Sequence, residues 1–315
     1  MKKIFLMGIV SVLLGLTACS ISKNDTLTPL EMNVATFNIG FSRNTNDQKI
    51  WEARKAQIPA LIKKYDFDIV GTQEPYAFQV KWLQGELAEY AFVEELMGSE
   101  TPDIFAKRPA GYINGNIILP NMNNPIWYKK NKFDVLETGK FWFSKTPDVQ
   151  SGGFTMKVFD SERHCTWAKF REKSTNKEFY VFNLHLICKS RKLDKPDVEQ
   201  IMSVELLVKK IHEIAKNETF FVMGDFNANK YLNSMKPMFT SKDFSDSKTK
   251  AKKILNEVEN TFVGFFGESK LSTGVIDHIF VSNNVDVKTY NTITDNENNK
   301  YPSDHLPVVI KVLVK

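Results

Sequence analysis

The feature that most constrains this chain is a set of short apolar runs that end in polar side chains where a buried strand would simply stop. In 34 to 40, Val-Ala-Thr-Phe-Asn-Ile-Gly, two-residue alternation puts Asn38 on the face of Val34 and Thr36, at the exit of the run. In 68 to 75 an apolar run leads directly into Gln73 and Glu74. Phe179, Val181, Asn183 and His185 share one face of a third run, and Tyr180, Phe182, Leu184 and Leu186 share the other. The run 220 to 223 passes through Gly224 into Asp225 and Asn227. Asp277 interrupts 275 to 281 in line with Val275 and Ile279, and Ser303, Asp304 and His305 stand between Pro302 and Pro307 just before the last run. A lone carboxylate in an apolar strand is costly unless it is paired or coordinated. Each of these residues alone could be a turn cap or a strand end. Together they describe a polar site assembled at strand ends.

Strand-like runs rich in Val, Ile, Phe, Tyr and Trp are expected at 33–39, 68–72, 124–128, 140–143, 165–171, 178–186, 219–223, 275–281 and 307–314. Apolar residues three and four apart predict helices at 48–65, 77–90 and 197–216, with Pro59 kinking the first. The less regular stretches 93–124 and 228–261, rich in Asn, Lys, Ser and Pro, are expected to be loops flanking the site. Strands alternating with helices, without repeats or a long linker, specify a mixed α/β domain.

These residues carry a family pattern. The stretches TFNIG, DIVGTQEP, NPIWYKKNKFDVLETGKFWFSKTPD, RHCTWAKF, YVFNLHL, VMGDFN, VIDHIFVS and YPSDHLPVV, in that order, resemble the endonuclease/exonuclease/phosphatase superfamily, which includes deoxyribonuclease I, apurinic endonucleases, inositol-polyphosphate phosphatases and bacterial sphingomyelinases. GDFN together with SDHLP is the specific part of the signal. The resemblance implies an α/β (α+β) fold of the deoxyribonuclease I type, a four-layer sandwich of two packed, mainly antiparallel sheets flanked by helices, formed by one domain over 32–315.

It also implies a site. Asn38, Glu74 and Asp304 match metal-site residues, an oxygen-rich set that suits Mg²⁺ or Mn²⁺. His185 matches a position that contacts the scissile phosphate. Asp225 and Asn227 match residues that orient the attacking water, and Asp277 and His305 match a pair in which the carboxylate fixes the imidazole and supports its protonated form. The implied chemistry is in-line attack of water on a phosphoester, with Asp225 and His305 both candidates for taking the water's proton. Arg163 and Asn183 are candidate substrate-binding residues, Arg163 because a guanidinium matches phosphate oxygens; a surface arginine fits it nearly as well. One departure is Asn183-Leu184-His185-Leu186-Ile187, where many members read Asn-Thr-His-Leu-Asp. His164 and His278 adjoin site residues but point the other way by strand alternation, and His212 reads as a surface residue on a helix.

The start of the chain reads as an export signal. Lys2 and Lys3 precede an apolar run from 4 to 18, too short to span a bilayer, and Leu-Thr-Ala-Cys19 resembles the bacterial lipobox. Residues 1–18 are therefore expected to be a lipoprotein signal peptide, Cys19 the lipidated residue and 19–31 a tether, which puts a monomeric enzyme at the cell envelope, attached to the membrane only through lipid. The net charge of +5, reduced further by loss of the two leader lysines, is too small to specify a nucleic-acid partner. Apart from Cys19 only Cys165 and Cys188 remain, enough for one disulfide but not a framework. The substrate classes left open are nucleic acid, phosphorylated small molecules and phospholipid headgroups, with a phosphodiesterase or nuclease slightly ahead and a non-catalytic binding lipoprotein disfavoured.

Overall fold

The computed structural model describes residues 28–42, 45–96, 111–113, 116–118, 122–155, 162–188, 196–269 and 271–315. The expected leader and Cys19 lie outside the described residues. In chain order the first strands are β1 (Leu30–Asn38), β2 (Ile69–Gln73), β3 (Tyr90–Val93), β4 (Gly111–Ile113), β5 (Asn116–Ile118), β6 (Ile126–Lys129), β7 (Phe133–Trp142) and β8 (His164–Glu172). They are followed by β9 (Glu178–His185), β10 (Phe220–Asp225), β11 (Phe244–Asp246), β12 (Lys253–Asn256), β13 (Asp277–Ser282), β14 (Val285–Thr292) and β15 (Val308–Val314). The principal helices are α1 (Thr45–Arg54), α2 (Gln57–Lys64), α3 (Ala77–Glu86) and α4 (Pro196–Ala215).

Two mixed sheets pack face to face, a seven-stranded one in the order β12-β14-β15-β1-β2-β6-β3 and a six-stranded one in the order β11-β13-β10-β9-β8-β7. The alternation in the sequence explains the layers. Val34 on β1, Ile69 on β2, Phe179 and Val181 on β9, Met223 on β10 and Ile279 on β13 point inward and form the core between the sheets. The other face of β1, Ala35 and Phe37, packs on Trp51, Ile58, Ile62, Val80 and Leu83 of α1 to α3. The other face of β9, Tyr180, Phe182 and Leu184, packs on Val204, Leu207 and Ile211 of α4. Each fully buried side chain of this kind contributes about 1.5–3 kcal/mol, so the helices cover the outer faces and leave the strand ends for function.

Most neighbouring strands are antiparallel; besides the edge pair β12–β14, two central pairs, β1–β2 and β9–β10, are parallel. In each pair a helical crossover, α1 and α2 in one and α4 in the other, carries the chain back before the second strand starts, so both strands finish at the same edge. That places Asn38, Gln73, His185 and Asp225 at one end of the sandwich, with Asp225 in register with His185 on one side and Asp277 on the other.

Several boundaries differ from the sequence expectation. The first predicted helix is two helices: Pro59 lacks the N–H that would bond Lys55, and the chain breaks between Arg54 and Gln57. The second ends at Glu86 and gives way to β3, because Leu87 leaves helical geometry with φ −108° and ψ 58°. The stretches expected to be loops contain β4, β5, β11 and β12, strands of three or four residues that are too short to show a period. β14 was not expected, and β7 extends well before 140; both are interrupted by register shifts and carry polar residues that are half-buried or exposed. β1 begins at Leu30, just inside the expected tether. Cys165 is buried, Cys188 is exposed, and both are free. No helix among the described residues is long and apolar enough to cross a membrane.

Candidate active site

Strand ends bring Asn38, Glu74, His185, Asp225, Asp277 and His305 into one cluster. Asp225 is at its centre and is 1 % exposed. Its Oδ2 accepts a hydrogen bond from Asn38 Nδ2 at 3.0 Å and its Oδ1 accepts one from the backbone N–H of Asn227 at 2.8 Å. The same Oδ2 lies 3.4 Å from His185 Nε2 and 3.7 Å from His305 Nε2. Burial, reinforced by the neighbouring carboxylate of Asp277, pushes the Asp225 carboxyl up to about 7.

His305 Nδ1 meets Asp277 Oδ2 at 2.9 Å. Burial alone would lower this imidazole, but Asp277 and Asp225 together hold it well above the ordinary histidine value, so it carries a proton at neutral pH. His185 is the opposite case: burial, and then the charge of Arg163, push it well below the ordinary value and keep it neutral. Arg163 Nη1 lies 2.8 Å from His185 Nδ1, and Asn227 Nδ2 lies 2.9 Å from His185 Nε2 while also donating to the carbonyl of Leu186 at 2.9 Å.

On the other side of Asp225 lies a group of oxygens. Glu74 Oε2 accepts from the backbone N–H of Phe41 at 3.2 Å, and burial followed by repulsion from Asp304 raises the Glu74 carboxyl. Glu74 has φ 73°, a conformation that costs a residue with a Cβ about 1–2 kcal/mol; it turns the chain sharply at the end of β2. Asn227 also has positive φ, 49°, which asparagine tolerates better. Among the described residues Asn38 Oδ1 accepts one bond, from the N–H of Gly40 at 3.0 Å, which leaves it a second lone pair. Two mutually repelling carboxylates beside a free amide oxygen fit a hard divalent cation.

A second grouping, Asp225, Asp277 and His305, has ligand atoms within 4.8 Å of one another. Occupying it would require His305, held in its protonated form by Asp277 and Asp225, to give up a proton and offer Nε2. The oxygens of Asn38, Glu74 and Asp304 could hold a cation without that proton loss.

Asn183 departs from its expected role. Its amide is fully buried: Oδ1 accepts from Gln73 Nε2 at 2.6 Å, and Nδ2 donates to the carbonyls of Thr72 and Pro125 at 2.9 and 3.0 Å. All its donors are used, so it braces one sheet against the other rather than binding substrate. Gly71 makes the brace possible, since a Cβ there would come within 2.5 Å of Asn183 Oδ1. Asn183→Leu, which removes one acceptor of Gln73 Nε2 and the amide donor to the Thr72 and Pro125 carbonyls, is expected to cost roughly 2–4 kcal/mol in urea unfolding while leaving KM unchanged; a rise in KM at full stability would restore the substrate-binding role.

Of the residues that support the site, Arg54 and Gln79 carried no sequence signal. Arg54, 3 % exposed, donates to the carbonyls of Ile39, Gly40 and Pro302 and so ties the exit of β1 to the turn that bears Asp304 and His305. Its burial lowers the guanidinium to about 10. Ser303 Oγ donates to the carbonyl of Asn38 at 2.7 Å, and Gln79 Nε2 donates to that of Gly40. Nothing local in the sequence marks a helix-face arginine or glutamine as the partner of a distant turn. The remaining histidines are engaged elsewhere. His164 Nε2 bonds Glu94 Oε1 at 2.7 Å, His278 Nε2 bonds the carbonyl of Ala228 at 3.0 Å, and His212 is a half-exposed surface residue beside Asp243.

Known proteins resemble this chain in sequence and fold. The sequence model of the Endonuclease/Exonuclease/phosphatase family matches residues 172–305. A Bacteroides thetaiotaomicron protein of that family, solved by crystallography, is 29% identical with a TM-score of 0.75, over 91% of this chain and 99% of its own. A mannosyl-6-phosphatase of Bacteroides thetaiotaomicron is 30% identical with a TM-score of 0.72, over 89% of this chain and 99% of its own. An uncharacterised protein of Acanthamoeba polyphaga mimivirus is 29% identical over 299 residues, covering 89% of this chain and 99% of its own. With the fold, the buried acid and histidine cluster and this full-length likeness in agreement, the chain belongs to the endonuclease/exonuclease/phosphatase family of phosphoester hydrolases.

Proposed function

We propose that the chain hydrolyses phosphomonoesters of small polyhydroxylated compounds, sugar phosphates foremost, with Mg²⁺ or Mn²⁺ held by Asn38, Glu74 and Asp304. The observation that carries the reaction is the clustering of Asp225, His185, Asn227 and the Asp277–His305 pair beside that oxygen set. The substrate class is supported by the near full-length likeness to a mannosyl-6-phosphatase and by the weak net charge of +5, which gives little purchase on a nucleic-acid backbone.

The bound cation would neutralise charge developing on the phosphoryl oxygens. Asp225 takes the proton of the attacking water: its carboxyl, near 7, is matched to the task. His305, already protonated through Asp277, cannot be that base and stabilises the negative charge of the transition state instead. The water oxygen forms a new bond to phosphorus, its proton passes to Asp225, and the bond to the leaving alcohol breaks as that oxygen takes a proton from solvent.

The test is phosphate release by the purified chain from residue 20 onward on a hexose phosphate, nitrophenyl phosphate, a nitrophenyl diester and DNA, with Mg²⁺, Mn²⁺ or chelator. Monoester turnover that chelator removes, and that Glu74→Gln weakens together with metal affinity, is expected. Preference for the diester or DNA would return the substrate to the nuclease class. The lipobox-like Leu-Thr-Ala-Cys19 supports an envelope lipoprotein with 32–315 as its enzymatic domain; fatty-acid labelling in a bacterial host should disappear in Cys19→Ala, and labelling that persists would remove the anchor.

A further inference from the structure

Two N–H donors press on the one ring of His185. Arg163 Nη1 lies 2.8 Å from Nδ1 and Asn227 Nδ2 lies 2.9 Å from Nε2. A guanidinium has no acceptor, a neutral imidazole has a single acceptor nitrogen, and an imidazolium has none. The two contacts therefore cannot both be hydrogen bonds, and whichever holds decides where the ring proton sits.

We infer that Arg163 decides it, as a positioning residue that keeps Nδ1 the acceptor and so fixes the proton of His185 on Nε2. A charged donor makes a hydrogen bond roughly twice as strong as a neutral one. Asn227 does not depend on the ring for its place: its Nδ2 donates to the carbonyl of Leu186 and its backbone N–H to Asp225 Oδ1. The ring, 3 % exposed, is confined between them. The arrangement inverts that of His305, whose Nδ1 faces the carboxylate of Asp277.

The consequence concerns what His185 can do. Its Nε2–H points toward the reacting groups, 3.4 Å from Asp225 Oδ2 and 3.9 Å from Glu74 Oε1. Asn227 Nδ2, 2.9 Å from Nε2, brings a second N–H alongside it. Two neutral donors thus converge where one non-bridging phosphoryl oxygen can take both, and His185 serves as a donor and not as a base. This role rests on the phosphoester reading above, whereas the proton's position does not.

Long-range nitrogen–proton NMR of the histidine-labelled chain reads the tautomer directly, with His185→Gln identifying the signal. Wild type is expected to be protonated on Nε2, Arg163→Lys to remain so, and Arg163→Leu to move to the Nδ1–H form with Nε2 accepting from Asn227. Should the leucine variant not fold, Arg163→Gln supplies the same comparison. In turnover, Arg163→Leu should lower kcat and kcat/KM together by about 10²-fold. An Nδ1–H ring in wild type, a tautomer indifferent to Arg163, or a raised KM with unchanged kcat would overturn the inference, the last by making Arg163 a direct phosphate clamp. Absence of turnover on every ester would sink the phosphatase reading while the NMR result still judges the tautomer.

Discussion

Gly224→Ala is expected to leave little or no folded protein. Gly224 has φ 152°, and a Cβ added to it would lie 2.0 Å from the carbonyl oxygen of Leu184 and 2.9 Å from its carbon. Both partners are backbone in adjacent, hydrogen-bonded strands, β10 and β9, so no side chain can move aside. Relief requires parting the two strands at the middle of the six-stranded sheet, beside the His185–Asp225 rung, and the cost should exceed about 4 kcal/mol, a large share of the stability of a typical domain. Soluble yield and urea unfolding measure it. Gly85 in α3 is the matched control, because a Cβ there meets nothing within 4 Å; Gly85→Ala should stabilise by about 0.5–1 kcal/mol. A Gly224→Ala protein that unfolds at the wild-type midpoint would mean that the close approach of β9 and β10 is wrong.

His305→Gln is expected to lower kcat by roughly 10²- to 10⁴-fold with the fold retained. Glutamine is preferable to alanine because it can still donate to Asp277, whose carboxylate is 1 % exposed and would otherwise be left buried without its partner. The pH profile of kcat/KM separates the roles. Activity should rise as Asp225 loses its proton near 7 and fall only when His305 loses its own, at a pH well above the ordinary imidazole value. Asp277→Asn removes the charge that raises His305, so the alkaline limb should move to lower pH while the acid limb also shifts down, since Asp277 helps raise Asp225. An alkaline limb that does not move in Asp277→Asn would show that His305 is not the group it reports.

Arg163 illustrates how far the linear pattern reaches. Its neighbourhood to the site could be guessed from RHCTWAKF, but whether it meets phosphate or protein depends on a contact with His185 across two strands. Asn183 is the converse: alternation put it correctly on the inner face, and only the opposing sheet reveals that Gln73, Thr72 and Pro125 use its whole amide.

The sequence by itself determined the inner and outer faces of β1, β9, β10 and β13, because alternation is a local property of an extended chain. It also determined which polar residues stand at the strand exits, because a carboxylate or amide after an apolar run has few other reasons to be there. The tertiary structure alone decided which of them meet. Asn38 and Asp225 are 187 residues apart in the chain and 3.0 Å apart in space, an encounter set by two helical crossovers that return parallel strands to one edge. It also decided the short edge strands β11 and β12, whose three or four residues hold their shape through pairing with β13 and β14 rather than through any preference of their own. The charge states of the site belong to it as well. Burial and the distances among Asp225, Asp277, His185 and His305 push one imidazole down and the other up, and no spacing along the chain encodes those distances.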